Sequence, residues 1–175
     1  VAQRLDGVSS TAVGLMERLV AASGAQGSEQ GIYDQGDLAL ALTDGALAAA
    51  VLGRVEDARQ KLARADALYD ETILEYYPGA ALDGWTTQWT VEALVGDTAA
   101  AVATARRTRY LAADRGDIEV EAQALEALGG FHEAARDWRA AEQAYESAVR
   151  LRDVQWERTR LHDWSAATFS NAQTA

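Results

Sequence analysis

Histidine and carboxylate side chains are the residues of this sequence most able to act as a general base or to hold a metal ion at neutral pH. The two histidines, His132 and His162, are each followed by an acidic residue, Glu133 and Asp163. Adjacent side chains on a helix diverge, so neither pair can chelate one ion. The chain has no cysteine, which excludes a thiolate metal site and a cysteine nucleophile. We therefore interpret both histidines as packing or surface residues and predict no metal site.

The sequence also lacks the short motifs that position catalytic groups or phosphates. Its acidic residues are scattered and form no Asp-Asp-x-x-Asp, Glu-x-x-His or EF-hand pattern. No glycine-rich stretch leads into Gly-Lys-Ser or Gly-Lys-Thr, and no Gly-x-Ser-x-Gly context holds a serine. We predict that the chain is not an enzyme and uses no cofactor.

Charge and hydropathy argue against nucleic acids and membranes as partners. The formal net charge is −11 at pH 7, whereas sequence-independent nucleic-acid binding needs a clustered positive surface. We therefore predict no direct nucleic-acid binding by this segment. No apolar run reaches the roughly 18 residues of a membrane span, and no basic start followed by an apolar core resembles a signal peptide. These features favour a cytoplasmic protein without a membrane partner.

Amino-acid usage also indicates an origin. The basic residues are fifteen arginines and one lysine, Lys61, and this ratio, together with the alanine and glycine content, resembles proteins of high-GC bacteria. The chain begins at Val1 rather than at methionine, so we expect a fragment of a longer bacterial protein.

Aromatic residues mark the first candidate binding site. Tyr76, Tyr77, Trp85 and Trp89 crowd around Pro78, the only proline of the chain. Clustered aromatic side chains commonly fill a core, and here they would fill an irregular junction between helices. They could instead line a pocket for an apolar peptide side chain or a small ligand. Of all features in the sequence, this cluster is our preferred prediction for binding.

Arginines form the second candidate. Arg106, Arg107 and Arg109 stand close together, and a further run occupies positions 150–160. Exposed charges on helices usually form ion pairs within the fold, which is one interpretation. The alternative is a contact with an anion or an acidic peptide, for which we name Arg106 and Arg109 as candidate residues.

The elements that must position these residues are helices. Alanine, leucine, glutamate and arginine abound and proline occurs once, which favours closely packed helices over well more than half of the chain. Residues 23–36, rich in glycine, serine and glutamine, are interpreted as a loop or a weak helix start. The predicted helices are one within 1–23 that is capped at Ser9–Thr11, followed by 37–52, 55–76, 83–96, 97–114, 118–135, 138–152 and 154–168.

Three of the turns between these helices repeat. Gly53, Gly96 and Arg136 each end the first helix of a pair, at intervals of 43 and 40 residues. Small residues follow each turn at fixed offsets: Ala58, Ala101 and Ala141 five residues later, and Ala65, Thr108 and Ala148 seven residues after those. Helices approach within about 8–10 Å only where the crossing residues are small. The pattern therefore predicts three helical hairpins stacked on one another.

The third unit resembles the tetratricopeptide repeat family. Leu128-Gly129 stands where the family has Leu-Gly, Trp138 where it has an aromatic residue, and Ala141, Tyr145 and Ala148 follow its Ala-aromatic-Ala series. The first unit matches around Leu52–Ala58. The second departs from the pattern, because Trp89 replaces a small residue and Thr108 replaces alanine, and the spacing exceeds the family's ~34 residues.

This resemblance implies an all-α fold, an α-solenoid of antiparallel tetratricopeptide-like helix pairs with about eight or nine helices. We expect a flanking helix and loop over 1–36, three helix pairs over 37–153, and a capping helix with a disordered tail over 154–175. The implied function is a non-catalytic module that binds a protein or peptide, within a bacterial regulatory protein. The alternative is a sensor domain that binds a small molecule near Trp85 and Trp89, and self-association into a homo-oligomer is a further possibility.

Overall fold

A computed structural model describes the backbone of residues 2–23 and 28–172, and the side chains of residues 7, 10–21 and 28–160. Over this described part the helices are joined by short turns and there is no β-strand, which confirms the all-α prediction. No helix there is long and apolar enough to cross a membrane. The eight helices are α1 (Ala2–Ser23), α2 (Glu29–Val51), α3 (Val55–Asp66), α4 (Glu71–Tyr76), α5 (Pro78–Leu94), α6 (Thr98–Arg115), α7 (Ile118–Ala134) and α8 (Trp138–Ala172).

The chain forms two compact units, residues 1–111 and residues 112–175. In the first unit α2 is the central helix, and it packs against α1, α3, α4 and α5. This agrees with its apolar residues, which run almost all round the helix. The largest fully buried aliphatic side chains of this unit are Leu42, Ile73 and Val91. In the second unit α7 packs along α8.

Four helices end in turns of the same geometry. The residues with positive φ at these turns are Gly53 (+74°), Gly96 (+83°), Gly116 (+71°) and Arg136 (+60°). In each turn the following residue donates its N–H to the carbonyl five positions back, as Asp97 does to Glu92 at 2.8 Å. This pairing satisfies carbonyls at the helix end. Glycine adopts the left-handed conformation without strain, so three of the four positions use it.

The small residues predicted at the helix crossings are buried. None of the six is more than 3% exposed: Ala58, Ala65, Ala101, Thr108, Ala141 and Ala148. Residues of this size allow the backbones of neighbouring helices to approach closely, and their burial shows that each faces the interior.

The pair α7 and α8 runs in opposite directions, as its contacts demonstrate. The Tyr145 hydroxyl donates to Glu133 Oε2 at 3.1 Å near the turn. At the far end Arg152 Nη1 donates to Glu119 Oε2 at 2.8 Å. Between them the Tyr145 ring lies directly against Gly129, where a Cβ atom would stand 2.6 Å from Cε1. The glycine of the predicted Leu-Gly pair therefore receives the aromatic residue of the facing helix.

Several predicted helix boundaries are wrong at the start of the chain. α1 begins at Ala2 and not at Ser9–Thr11. α2 begins at Glu29 and not at Asp37, within the stretch interpreted as a loop or a weak helix start, because the Ser28 hydroxyl caps it by accepting from the Gly31 N–H at 3.1 Å. Residues 24–27 of that stretch lie outside the described residues.

The long helix predicted over 55–76 is in fact two helices. α3 ends at Asp66, and the Asp70 carboxylate caps α4 by accepting from the Ile73 N–H at 3.0 Å. α5 begins at Pro78 and not near Asp83, because proline suits the first helical position, where its missing N–H is not needed.

At the other end of the chain, no break separates 138–152 from 154–168. α8 is continuous through Asp153 as far as Ala172. Residues 170–172 of the tail that was predicted to be disordered belong to this helix, and residues 173–175 lie outside the described part.

We expect Arg152→Gln to weaken the pairing of α7 with α8 in a pH-dependent way. Arg152 binds Glu119, and its Nε donates to Glu126 Oε1 at 2.9 Å. The hydrogen bonds from Arg152 lower the pKa of Glu119. A carboxylate with a lowered pKa stabilises the fold above its unfolded-state pKa, and this contribution is lost as the pH falls through the folded-state pKa. Because these side chains are partly exposed, solvent screening limits the loss at pH 7 to about 1 kcal/mol.

Thermal unfolding at pH 7 and at pH 3 measures this effect. The destabilisation by Arg152→Gln should be present at pH 7 and smaller at pH 3. Arg150→Gln is the matched control, because Arg150 pairs within its own helix, with Glu146 at 3.6 Å and with the Ser147 hydroxyl at 3.1 Å, and not with α7. An equal effect of the two substitutions at pH 7 would show that the bridge to α7 is not stabilising.

Candidate functional site

The structure separates the four aromatic residues that the sequence groups around Pro78. Tyr76 is 63% exposed, whereas Trp85 and Trp89 are only 6% and 7% exposed. Tyr77, the next residue after Tyr76, is half-buried. One of the four is thus available at the surface, and the two indoles are part of the interior.

An open pocket of about 390 Å³ lies between the start of α2 and α4. Its lining residues are Glu29, Ile32, Tyr33, Thr72 and Tyr76. Residues three and four apart share a helix face, which explains why α2 contributes the first three and α4 the last two. Tyr33 is 39% exposed, so two phenol rings with solvent-accessible surface stand at this pocket. We call it the tyrosine pocket.

Tyr77 supports this pocket from behind and does not line it. Its hydroxyl donates to Asp37 Oδ1 at 3.2 Å, and its ring meets the Tyr33 ring edge-on with centroids 4.9 Å apart. Gly36 makes room for it, because a Cβ there would lie 2.6 Å from Tyr77 Cδ1. Burial and then the Asp37 carboxylate raise the pKa of Tyr77, so its hydroxyl stays protonated and keeps donating to Asp37.

Trp85 lies in the core under an arginine. Its ring meets Tyr69 edge-on at 5.9 Å, and the Arg107 guanidinium lies 4.4 Å from its centroid. Arg107 Nη2 also bonds Asp66 Oδ1 at 2.7 Å and Gln88 Oε1 at 3.0 Å. A guanidinium held over an indole by two acceptors has little freedom to move. Trp85 is therefore closed to a ligand from this side.

The hydrogen bonds of Arg107 continue to a buried carboxylate. Gln88 Nε2 donates to Glu92 Oε1 at 2.8 Å. A chain of polar contacts thus joins Asp66 on α3, Arg107 on α6, and Gln88 and Glu92 on α5. We call these four residues the polar relay.

The two arginines predicted for binding lie elsewhere. Arg106 is exposed, and the Arg109 guanidinium stands 5.8 Å from the centroid of the Tyr110 ring. Neither lines the tyrosine pocket. Arg107, which was grouped with them in sequence but not selected for binding, forms the ion pair within the fold that was one interpretation of the cluster. The buried Thr104 and Thr108 mark the face of α6 beside it.

Sequence reasoning also missed Tyr33, because the glycines around it suggested a loop. The Ser28 cap with Glu29, Ile32 and Tyr33 on one face was the available signal for a helix. His132, at the end of α7, lies 4.0 Å from Asp137 through its Nδ1 atom. Within the described residues, no group of three histidine, aspartate or glutamate side chains is arranged to hold a metal ion.

Comparisons with known proteins add no assignment. The chain matches no protein-family model, no curated protein and no solved structure. What the site can do must therefore be argued from its own geometry. The tyrosine pocket offers two aromatic rings, one isoleucine and a carboxylate at its edge, which suits recognition of an apolar or aromatic group.

Proposed function

We propose that the chain is a non-catalytic helical repeat module of the tetratricopeptide type that binds a peptide or protein, as part of a cytoplasmic bacterial regulator. Two observations support the repeat: the turns after Gly53, Gly96 and Arg136 share one hydrogen-bonding pattern, and the small residues that follow each turn are buried. A stack of such hairpins, an α-solenoid, presents an extended surface to a partner.

The observation that carries the binding proposal is the tyrosine pocket. Tyrosine supplies a large contact area at a low entropic cost, and its hydroxyl offers a hydrogen bond. In this proposal the pocket receives an apolar or aromatic side chain of a peptide. The Glu29 carboxylate at the start of α2 accepts a hydrogen bond from the peptide backbone.

The test selects ligands without assuming their sequence. A phage-displayed library of random 12-residue peptides is panned on the wild-type chain, and affinities of the enriched peptides are measured by surface plasmon resonance. We expect Tyr76→Ala to weaken binding at least about tenfold, as for an aromatic hot spot. Stability should be retained, because Tyr76 is mostly exposed.

Tyr110→Ala is the matched control, since Tyr110 is 68% exposed on α6 and does not line the tyrosine pocket. Peptides that bind Tyr76→Ala as tightly as the wild type would place recognition elsewhere on the chain. A library that yields no binder to the wild type would oppose the proposal as a whole.

A small-molecule sensor is the second candidate, and the pocket volume is the observation that favours it. About 390 Å³ falls within the range of small-ligand sites, about 300–1,000 Å³. Trp85 and Trp89 do not line this pocket, so we move the proposed ligand site from them to Tyr33 and Tyr76. Saturable binding of p-cresol that is lost in Tyr76→Ala, in the absence of any peptide binder, would select this alternative.

A further inference from the structure

Apart from the tyrosine pocket, a groove of about 250 Å³ lies between α3, α5 and α6. Its charged lining residues are Arg59, Asp66, Glu92 and Asp97. Three carboxylates thus face one guanidinium, and Arg107 of the polar relay lies behind Gln88 on the same wall. The groove shares no lining residue with the tyrosine pocket.

Glu92 is the unusual member of this set. It is only 8% exposed, and its Oε1 atom accepts from Gln88. Its Oε2 atom is buried and makes no hydrogen bond of normal geometry among the described residues, although the Thr104 hydroxyl and the Arg107 charge act on the same carboxyl group. A buried carboxylate oxygen without its full set of hydrogen bonds is costly, because it loses its bonds to water. The polar relay therefore ends on an incompletely satisfied carboxyl group, on a residue that lines the groove.

The carboxylates of Asp66 and Asp97 already have hydrogen-bond partners and can still accept further hydrogen bonds. Asp66 binds Arg107, and Asp97 Oδ1 accepts from the Ala100 N–H at 3.0 Å as the cap of α6. Each ionised carboxylate offers about four acceptor positions, so both can accept further bonds. With Glu92 they make three carboxylates against two guanidinium groups, Arg59 and Arg107, and the one excess negative charge favours a positive ligand over an anion.

We propose that this groove binds an organic cation, a guanidinium or ammonium group, with Glu92 as its main counter-ion and with Asp66 and Asp97 as secondary acceptors. A metal ion would need its ligands gathered at one point, and no such group exists in the described part of the chain. A guanidinium instead presents five donors in a wide planar fork, which suits separated acceptors. The volume accommodates such a group with a short alkyl stem.

Ionised Glu92 lowers the stability of the unliganded protein, because its carboxylate is buried. Burial raises the pKa of Glu92, against the opposing effects of the Gln88 amide, the Thr104 hydroxyl and the charge of Arg107. A carboxyl group with a raised pKa favours the folded state in its protonated form, and that contribution is lost as the pH rises through the folded-state pKa. Glu92→Gln, which is neutral and of the same shape, should therefore raise the Tm at pH 7 by about 2–4 °C and change it little at pH 4.

Binding is tested with agmatine, a small molecule that carries a guanidinium and an amine, by isothermal titration calorimetry at pH 7.5. The wild type should bind it saturably, and Glu92→Gln should weaken this binding at least about tenfold through loss of a charge-assisted hydrogen bond. Asp97→Asn should weaken it severalfold, and asparagine caps a helix as well as aspartate does, so the fold is kept. Glu75→Gln, at an exposed position of α4, is the control and should bind normally.

N-butylurea, which is similar in shape and uncharged, should not bind. The cation could be an arginine side chain of a partner protein or a free small-molecule amine, and a blocked Gly-Ser-Arg-Ser-Gly peptide distinguishes the two. Tighter binding of the peptide than of agmatine indicates a partner side chain, whereas weaker binding indicates a free amine. Tyr76→Ala should leave the agmatine affinity unchanged, so a failure here is distinct from a failure at the tyrosine pocket. The proposal is overturned if the wild type does not bind agmatine, if a folded Glu92→Gln binds it equally, or if N-butylurea binds as well.

Discussion

We expect Gly84→Ala to lower the free energy of unfolding by about 3 kcal/mol, the upper end of the usual cost of overpacking. A Cβ atom at Gly84 would lie 1.8 Å from Tyr69 Oη and 2.7 Å from its Cζ. Tyr69 is 7% exposed and its ring already packs against Trp85, so these contacts oppose a shift of the ring away from the new methyl group. The gain in helix propensity from alanine, about 1 kcal/mol, offsets only part of this cost. Urea denaturation followed by circular dichroism measures the difference.

Two further variants isolate the cause. Gly79→Ala on the same helix introduces a Cβ atom with no other atom within 4 Å, so it should be neutral or stabilise by about 0.5 kcal/mol. Tyr69→Phe removes the hydroxyl that the new methyl group meets most closely, and it should recover part of the stability of Gly84→Ala, because the contact with Cζ at 2.7 Å remains. That hydroxyl makes no hydrogen bond of normal geometry in the described structure, and burial raises its pKa to about 12 against the opposing effect of the Thr43 hydroxyl. A Gly84→Ala chain as stable as the wild type would contradict the close packing of Tyr69 on α5.

Gly129→Ala should destabilise the pairing of α7 with α8 by about 2 kcal/mol. The new Cβ atom would lie 2.6 Å from Tyr145 Cε1 and 2.8 Å from its Cδ1. The Tyr145 ring is 37% exposed and can turn towards solvent, but it would then lose its hydrogen bond to Glu133. The cost is therefore smaller than at Gly84. Unfolding by urea, monitored at 222 nm, gives the magnitude.

The neighbouring glycine supplies a matched control. At Gly130 a Cβ atom would meet only Tyr145 Oη, at the ordinary contact distance of 3.8 Å. Gly130→Ala should therefore stabilise the chain by up to about 1 kcal/mol through helix propensity. If the two substitutions changed stability in the same direction, the helix crossing at Gly129 proposed from the repeat pattern would be wrong.

The helices and three of the turns that join them could be predicted from the sequence because their signals are local. Gly53, Gly96 and Arg136 occupy turns with one geometry, and the alanines at fixed offsets from them are buried. The break after Asp66 was missed, because the helical periodicity continues past the Asp70 cap. The start of α5 was placed too late, because proline also suits the first position of a new helix. The continuity of α8 through Asp153 was missed as well.

The candidate sites were less accessible to sequence reasoning. Tyr76 was found from its place beside Pro78, but its companion Tyr33 lies more than forty residues earlier and meets it only through the packing of α2 with α4. Arg107 and Glu92 depend on which way each side chain points from its helix. A shift of one residue in helix phase moves a side chain about 100° around the axis, and neighbouring arginines cannot be told apart by type.

The polar relay also gives the chain an optical property. Among the tryptophans whose side chains the structure describes, Trp85 and Trp89 are buried and Trp138 and Trp156 are 63% and 69% exposed, so the emission of the first two lies at shorter wavelengths. The guanidinium over Trp85 is held through Gln88, which also holds Glu92. A cation bound to Glu92 as proposed would add a positive charge to this network and change the electric field across the Trp85 indole. We therefore expect the short-wavelength fluorescence of the unlabelled chain to report the occupancy of a groove that no tryptophan lines.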